Sequence, residues 1–290
     1  MKIATFKVGG ERRVGIVDDQ RQTLTPFDLT ETEASAGLLA IIGRAKLPQI
    51  LNPMSLREAT LEAPIPLPRR NIFCVGKNYH DHAKEFASSG FDSSAAQGTV
   101  PLHPIIFSKV PECVVAHRAP VYFNHKVSSA IDYEAELAVI IGTGGKNISK
   151  QDALDHVWGY TIINDVTARD LQGKHSQWLI GKSQDTFGPM GPWAVTRDEI
   201  DLSKTQLRCW INNELRQDQS TAALIFDVPT LIATLSEGIT LLPGDIIATG
   251  TPAGVGIGFK PPKYLVSGDV MKVEISGIGI LENQLLERGS

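Results

Sequence analysis

Short apolar runs broken by glycine and proline set the rhythm of this chain, and few stretches hold a helical period for long. Ile3 to Val8 and Val14 to Val17 flank Gly9-Gly10-Glu11-Arg12-Arg13, which predicts a hairpin. Leu137 to Ile141 is apolar and β-branched, and Gly142 to Gly145 ends it, so the pattern predicts a strand. A second β-rich run starts at Trp158 and carries Asp165 at its end. Cys209 to Arg216 around Asn212-Asn213, and Val270 to Asn283 around Ser276-Gly277-Ile278, predict two more hairpins. Helical periodicity is weak over 31–45. It is clearer at Ser149 to Val157, with Ser149 as N-cap, and at Asp227 to Glu237, with Asp227 as N-cap and Gly238 as the stop. Pro53, Pro64, Pro66 and Pro68 punctuate a linker-like crossing into Ile72-Phe73-Cys74-Val75-Gly76. The expectation is a mainly β, α+β fold with sparse helices, divided into a small N-terminal domain at 1–67 and a larger domain at 68–290.

Composition narrows the function classes. With 290 residues the chain can bury a sizeable core, and its net charge of -4 gives no reason to expect nucleic acid or an anionic membrane as partner. No apolar run approaches the length of a membrane span, and Met1 to Lys7 lacks the apolar core of a signal peptide. Cys74, Cys113 and Cys209 are odd in number and far apart, which argues against a disulfide framework or a cysteine zinc site. A cytoplasmic setting follows as the expectation.

Chemistry concentrates at Glu134-Ala135-Glu136. On a strand, alternate residues share a face, so the two carboxylates point the same way. Such a pair fits the wet face of an edge strand. It also fits a buried site in which a hard cation sits between the oxygens. Asp165 would complete a three-oxygen set if its run lies beside the first, a neighbourhood that spacing alone leaves open. In Tyr79-His80-Asp81-His82-Ala83-Lys84-Glu85, a helix would place His82 and Glu85 on one face as a dyad able to activate water. The same segment also reads as a solvated loop, or as one offering His80 and His82 to a metal. Phe86 to Val100, rich in Ser, Ala and Gly, fits a lid over bound substrate. Gly181-Lys182-Ser183 lacks the earlier glycine of a phosphate loop, since Ser176 stands there. Gly250 to Gly258 lacks the context of a dinucleotide fingerprint and fits a tight loop that brings Thr251 and backbone amides toward a substrate carboxylate. Arg169 and Asp170 fit a structural ion pair as well as a site role.

Taken in order, Gly76-Lys77-Asn78-Tyr79, Asp132 to Leu137, Asn164 to Asp170, Gly181-Lys182-Ser183 with Asp185-Thr186-Phe187, Pro243-Gly244-Asp245, Thr249 to Pro252 and Gly254-Val255-Gly256 resemble the fumarylacetoacetate hydrolase family. The surroundings of Lys182 and Pro189-Met190-Gly191-Pro192 resemble its domain-containing protein 2 subgroup. The resemblance implies a mixed β-roll catalytic domain, a homodimer, and one Mg2+ or Mn2+ on Glu134, Glu136 and Asp165. It further implies catalytic His82, Glu85 and Lys182, with Gln172 contacting substrate. Asn78 appears where the best-known member has an additional Asp ligand, which argues against that member's large substrate. The implied activity is hydrolysis of a carbon–carbon bond in acylpyruvate-type 2,4-dioxo acids through a metal-bound enolate. Oxaloacetate decarboxylation and isomerisation of unsaturated 2-oxo acids use the same core, and a catalytically inactive, metal-stabilised binding protein is the alternative from another class.

Overall fold

The computed structural model describes residues 1–87 and 100–288, so the expected lid at 86–100 lies almost wholly outside the described residues. The N-terminal strands are β1 (Lys2–Val8), β2 (Glu11–Asp18), β3 (Thr23–Pro26), β4 (Met54–Ser55) and β5 (Thr60–Glu62). After them come β6 (Ile72–Gly76), β7 (Ile105–Lys109), β8 (Val114–Val115), β9 (Val121–Phe123) and β10 (Ile131–Asp132). The middle of the chain supplies β11 (Ala135–Ile141), β12 (Val157–Asn164), β13 (Thr167–Ala168) and β14 (Gly188–Thr196). The remainder gives β15 (Gln206–Ile211), β16 (Glu214–Ser220), β17 (Ile246–Ala248), β18 (Val270–Ile275) and β19 (Gly279–Glu287). The α-helices are short: α1 (Glu31–Ser35), α2 (His80–Ala87), α3 (Arg169–Lys174), α4 (Leu179–Lys182) and α5 (Val228–Ser236). The fold is mainly β, and no described helix is long and apolar enough to cross a membrane.

One long sheet runs in the order β4-β3-β2-β1-β14-β12-β11-β17-β6-β7, and a smaller one in the order β16-β15-β18-β19-β9. Strand β11 is buried along its whole length, and its alternating side chains feed two cores. Leu137, Val139 and Ile141 pack with Leu207, Val273 and Leu281 of the smaller sheet, while Ala138 and Ile140 pack with Ile72, Cys74 and Ile246. A strand buried on both faces reads as a continuous apolar run, which is why Leu137 to Ile141 stands out in the sequence.

The expected boundary between 67 and 68 interrupts neither sheet nor core. Strand β1 pairs with β14 at Lys2↔Val195 and Ile3↔Ala194, and Ile3 and Phe6 belong to the two shared cores. The prolines read as a linker are tied down: Ile65 is buried, and Pro64 O accepts hydrogen bonds from Thr5 Oγ1 at 2.7 Å and Leu38 N at 2.9 Å. The helix expected at Ser149 to Val157 is a correction. Ser149 caps Asp152 as read, but only a 3-10 turn at Ala153–His156 follows, because β12 begins at Val157. Asp227 does cap α5, accepting from Thr230 N at 2.9 Å.

Candidate active site

The register of β11 on β12 sets Ala135 opposite Asn164, which brings the residues flanking that pair together. Asp165 N donates to Glu134 O at 2.8 Å, and Glu134 N donates to Asn164 Oδ1 at 3.0 Å. Glu134, Glu136 and Asp165 thereby meet, each offering an oxygen within 4.8 Å of the others. All three are buried, so the wet-edge reading of the two glutamates does not apply. His80 is exposed, and no histidine joins this cluster among the described residues.

Each carboxylate has one oxygen secured from behind. Glu134 Oε1 lies 2.7 Å from Arg169 Nη1, Glu136 Oε2 accepts Gly250 N at 2.8 Å, and Asp165 Oδ1 accepts Lys109 Nζ at 2.7 Å. Lys182 Nζ sits 2.8 Å from both Glu134 Oε2 and Asp165 Oδ2. These contacts divide the cluster electrostatically. Burial alone would raise the Glu134 carboxyl, but the charges of Lys182 and then Arg169 bring it down to about 2. Glu136 forms no ion pair among the described residues. Burial first, then Asp165 and Glu134, hold its carboxyl well above the usual carboxylate range.

That imbalance is a test of whether a divalent ion fits, and the donor set passes it. Three carboxylate oxygens converge, the hard donor type that a divalent ion such as Mg2+ or Mn2+ takes. Two buried polar atoms nearby, Tyr79 Oη and Arg169 Nη2, have no hydrogen-bond partner among the described residues, as expected beside a site that receives oxygen-rich guests.

The dyad forms on α2. His82 Nδ1 lies 3.2 Å from Glu85 Oε2, the i, i+3 geometry read from the sequence. Glu85 is fixed in turn by Gly254 N at 3.0 Å. Gly254 needs its φ of 103°, and a Cβ there would stand 1.8 Å from Arg216 O. His82, Glu134, Arg169, Gln172, Lys182 and Thr251 line one cavity, walled by Phe86, Phe107 and Trp178. Glu85 and Asp165 do not line it but contact residues that do, His82 and Lys182.

Several expectations about individual residues change. Four amides of the 250–258 loop are engaged by the site's own carboxylates: Gly250 N on Glu136, Gly254 N on Glu85, and Gly256 N and Ile257 N on Asp132. Thr251 Oγ1 donates to Ala135 O at 2.9 Å and accepts from Gln217 Nε2 at 2.8 Å. Gln172 Oε1 accepts from Arg169 Nη1 at 3.1 Å. Asp170 takes Ser128 Oγ at 2.6 Å and is structural, whereas Arg169 joins Asp132 to Glu134 within the site. Asn78 faces the backbone, donating to Phe226 O and Thr249 O and accepting from Phe226 N at 2.7 Å. Sequence reasoning missed Lys109 and Asp132. Asp132 sits in the same acidic motif and could have been flagged; no local signal marks Lys109.

A family model described as fumarylacetoacetate (FAA) hydrolase C-terminal matches residues 71–286. The chain is 52% identical over 232 residues to the oxaloacetate tautomerase YisK of Bacillus subtilis, covering 80% of this chain and 74% of that protein. It is 40% identical over 268 residues to the human mitochondrial oxaloacetate tautomerase FAHD2A, covering 91% and 80%. A fumarylacetoacetate hydrolase structure from Exiguobacterium antarcticum superposes with a TM-score of 0.84 at 42% identity, over 99% of this chain and 100% of that one.

Proposed function

The chain belongs to the fumarylacetoacetate hydrolase family, and from that premise we propose that it acts on small 2-oxo acids through an enolate, interconverting the keto and enol forms of oxaloacetate. The observation that carries the reading is one cavity lined by His82, Arg169, Lys182 and Glu134, with Glu85 held against His82 and with Glu136 and Asp165 clustered with Glu134. The tautomerase names of two relatives favour oxaloacetate as the substrate.

A carboxylate only accepts, so in the neutral ring the hydrogen on His82 Nδ1 that faces Glu85 leaves the lone pair on Nε2. That nitrogen serves as base, taking a proton from carbon 3 of the keto form, and as acid, passing that proton to the 2-oxygen to complete the enol. The reverse reaction takes the 2-hydroxyl proton and returns it to carbon 3. Negative charge grows on the 2-oxygen between the two transfers. The fixed cation of Lys182 is placed to stabilise it without reorganisation. Arg169 Nη2 and the Gln172 amide are the donors on the cavity wall for a substrate carboxylate. Glu134, Glu136 and Asp165 would hold Mg2+ or Mn2+, and a bound ion would supply Lewis acidity toward 2-oxo acid oxygens. A homodimer belongs to the same proposal and is read by sedimentation.

The dyad also favours a second reading, cleavage of acylpyruvates by water that His82 activates. Decarboxylation of oxaloacetate would need no such base. A turnover screen of the Mn2+-loaded protein with oxaloacetate, acetylpyruvate and fumarylpyruvate separates these. The proposal expects enol–keto conversion of oxaloacetate that falls by about 10²–10⁴ in His82→Ala. Faster cleavage of either acylpyruvate gives the site to hydrolysis, carbon dioxide release that survives His82→Ala gives it to decarboxylation, and no turnover at all sinks the reading.

A further inference from the structure

Lys109, the last residue of β7, is wholly buried and does not touch the cavity. An ammonium has three hydrogens. Here three acceptors receive them: Asp165 Oδ1 at 2.7 Å, Val166 O at 3.2 Å and Lys182 O. We propose that Lys109 is a positioning residue that holds Asp165 to one-oxygen coordination and so biases the carboxylate cluster toward a small six-coordinate ion and against Ca2+. This rests on reading Glu134, Glu136 and Asp165 as a metal site.

The reasoning is geometric. Asp165 Oδ1 cannot swing toward the centre of the cluster without stranding a buried ammonium, and breaking a buried pair is strongly unfavourable. Oδ2 alone faces inward, beside Lys182. Arg169 on Glu134 Oε1 and Gly250 N on Glu136 Oε2 impose the same limit, so each carboxylate has one oxygen left for the cluster, and Lys182 Nζ contacts two of these, Glu134 Oε2 and Asp165 Oδ2. Mg2+ takes about six ligands at short range, whereas Ca2+ takes about six to eight and often obtains them from two-oxygen carboxylates. Of the three restraining donors, Gly250 acts through its backbone and Arg169 lines the cavity. Lys109 is therefore the one whose side chain can be replaced without removing a residue of the cavity wall.

The test is calorimetric titration of the metal-stripped full chain with MnCl2, MgCl2 and CaCl2, comparing the native protein with Lys109→Gln. Removing a charge behind the site alters attraction for every divalent ion alike, so the affinity ratio isolates the geometric effect. The expected result is a native preference for Mn2+ and Mg2+ over Ca2+ that shrinks about tenfold in the variant, the scale of changes behind metal ligands. A ratio that does not move, or a native protein that favours Ca2+, overturns the proposal. Should Lys109→Gln fail to fold, a crystal structure of the native protein with Mn2+ decides. Asp165 must bind through Oδ2 alone with Lys109 still on Oδ1, and a two-oxygen Asp165 overturns it. If the native protein binds none of the ions, the metal reading itself fails. If it binds them and the ratio is unchanged, only the role of Lys109 falls.

Discussion

Gly258 tests the dyad without touching a reacting group. A Cβ built on it would stand 1.8 Å from Glu85 Oε1, 2.2 Å from Cδ and 2.4 Å from Cγ, and its three nearest neighbours all belong to that one carboxylate. Its backbone is not in the left-handed region, so alanine is tolerated there and the strain falls on Glu85. Ordinary contact begins near 3.4 Å, so Oε1 must retreat by about 1.6 Å. Such a shift breaks the 3.2 Å contact with His82 and the 3.0 Å bond from Gly254 N. A displacement of about 1 Å in a catalytic arrangement costs about 10²-fold in rate. Gly258→Ala should therefore lower kcat for oxaloacetate by about 10²-fold, with KM little changed. Stability should fall by only about 1.5–3 kcal/mol, the worth of a charge-assisted hydrogen bond. Stopped-flow loss of enol absorbance gives kcat, and thermal melting gives stability. A variant with displaced Glu85 that keeps kcat within about threefold of native would refute the role of Glu85 in orienting the base.

Other outcomes follow from the same geometry. In metal-stripped protein, Glu136→Gln should hold or raise the melting temperature, since it removes a carboxylate that burial and its neighbours disfavour. Mn2+ at about a hundredfold its Kd should then stabilise the native chain by about 2.7 kcal/mol and the variant far less, as paired melting curves would reveal. Asn78→Ala strands backbone groups at Phe226 and Thr249, and urea denaturation should show a loss of about 3 kcal/mol. Burial, with help from Arg118, pushes His117 down to about 4, while its Nδ1 accepts Glu282 N. The folded state thus binds fewer protons there than the unfolded chain. The resulting stability is complete above about pH 6.5 and is lost as the pH falls toward 4. Melting curves across that window should show a shallower acid loss in His117→Asn, whose Oδ1 can keep the Glu282 bond.

Much of this centre was legible because strand geometry is local. The period of two puts Glu134 and Glu136 side by side, and the i, i+3 spacing puts His82 against Glu85. What carries Asp165 to them is the register of β11 on β12, a long-range fact that only motif resemblance anticipated. Lys109 reaches Asp165 across 56 residues of chain and looks like any lysine ending a strand. The partners of four loop amides were hidden for a related reason. Their glycines announce a close approach, but not whether a substrate or the protein's own Glu85, Asp132 and Glu136 arrives. Pro64 and Pro66 read as linker by composition, yet Ile65 between them is buried where the N-terminal strands join the sheet. Ser149 made its cap, and the helix stopped because β12 claims the residues after His156.

The most direct test of the central claim is the rate of oxaloacetate enol-to-keto conversion by metal-stripped protein, before and after Mn2+ is restored. The account expects little conversion without the ion, rapid conversion with it, and no recovery on adding Mn2+ to Glu134→Gln. Conversion that proceeds equally well without the ion, or that Glu134→Gln leaves intact, would contradict it.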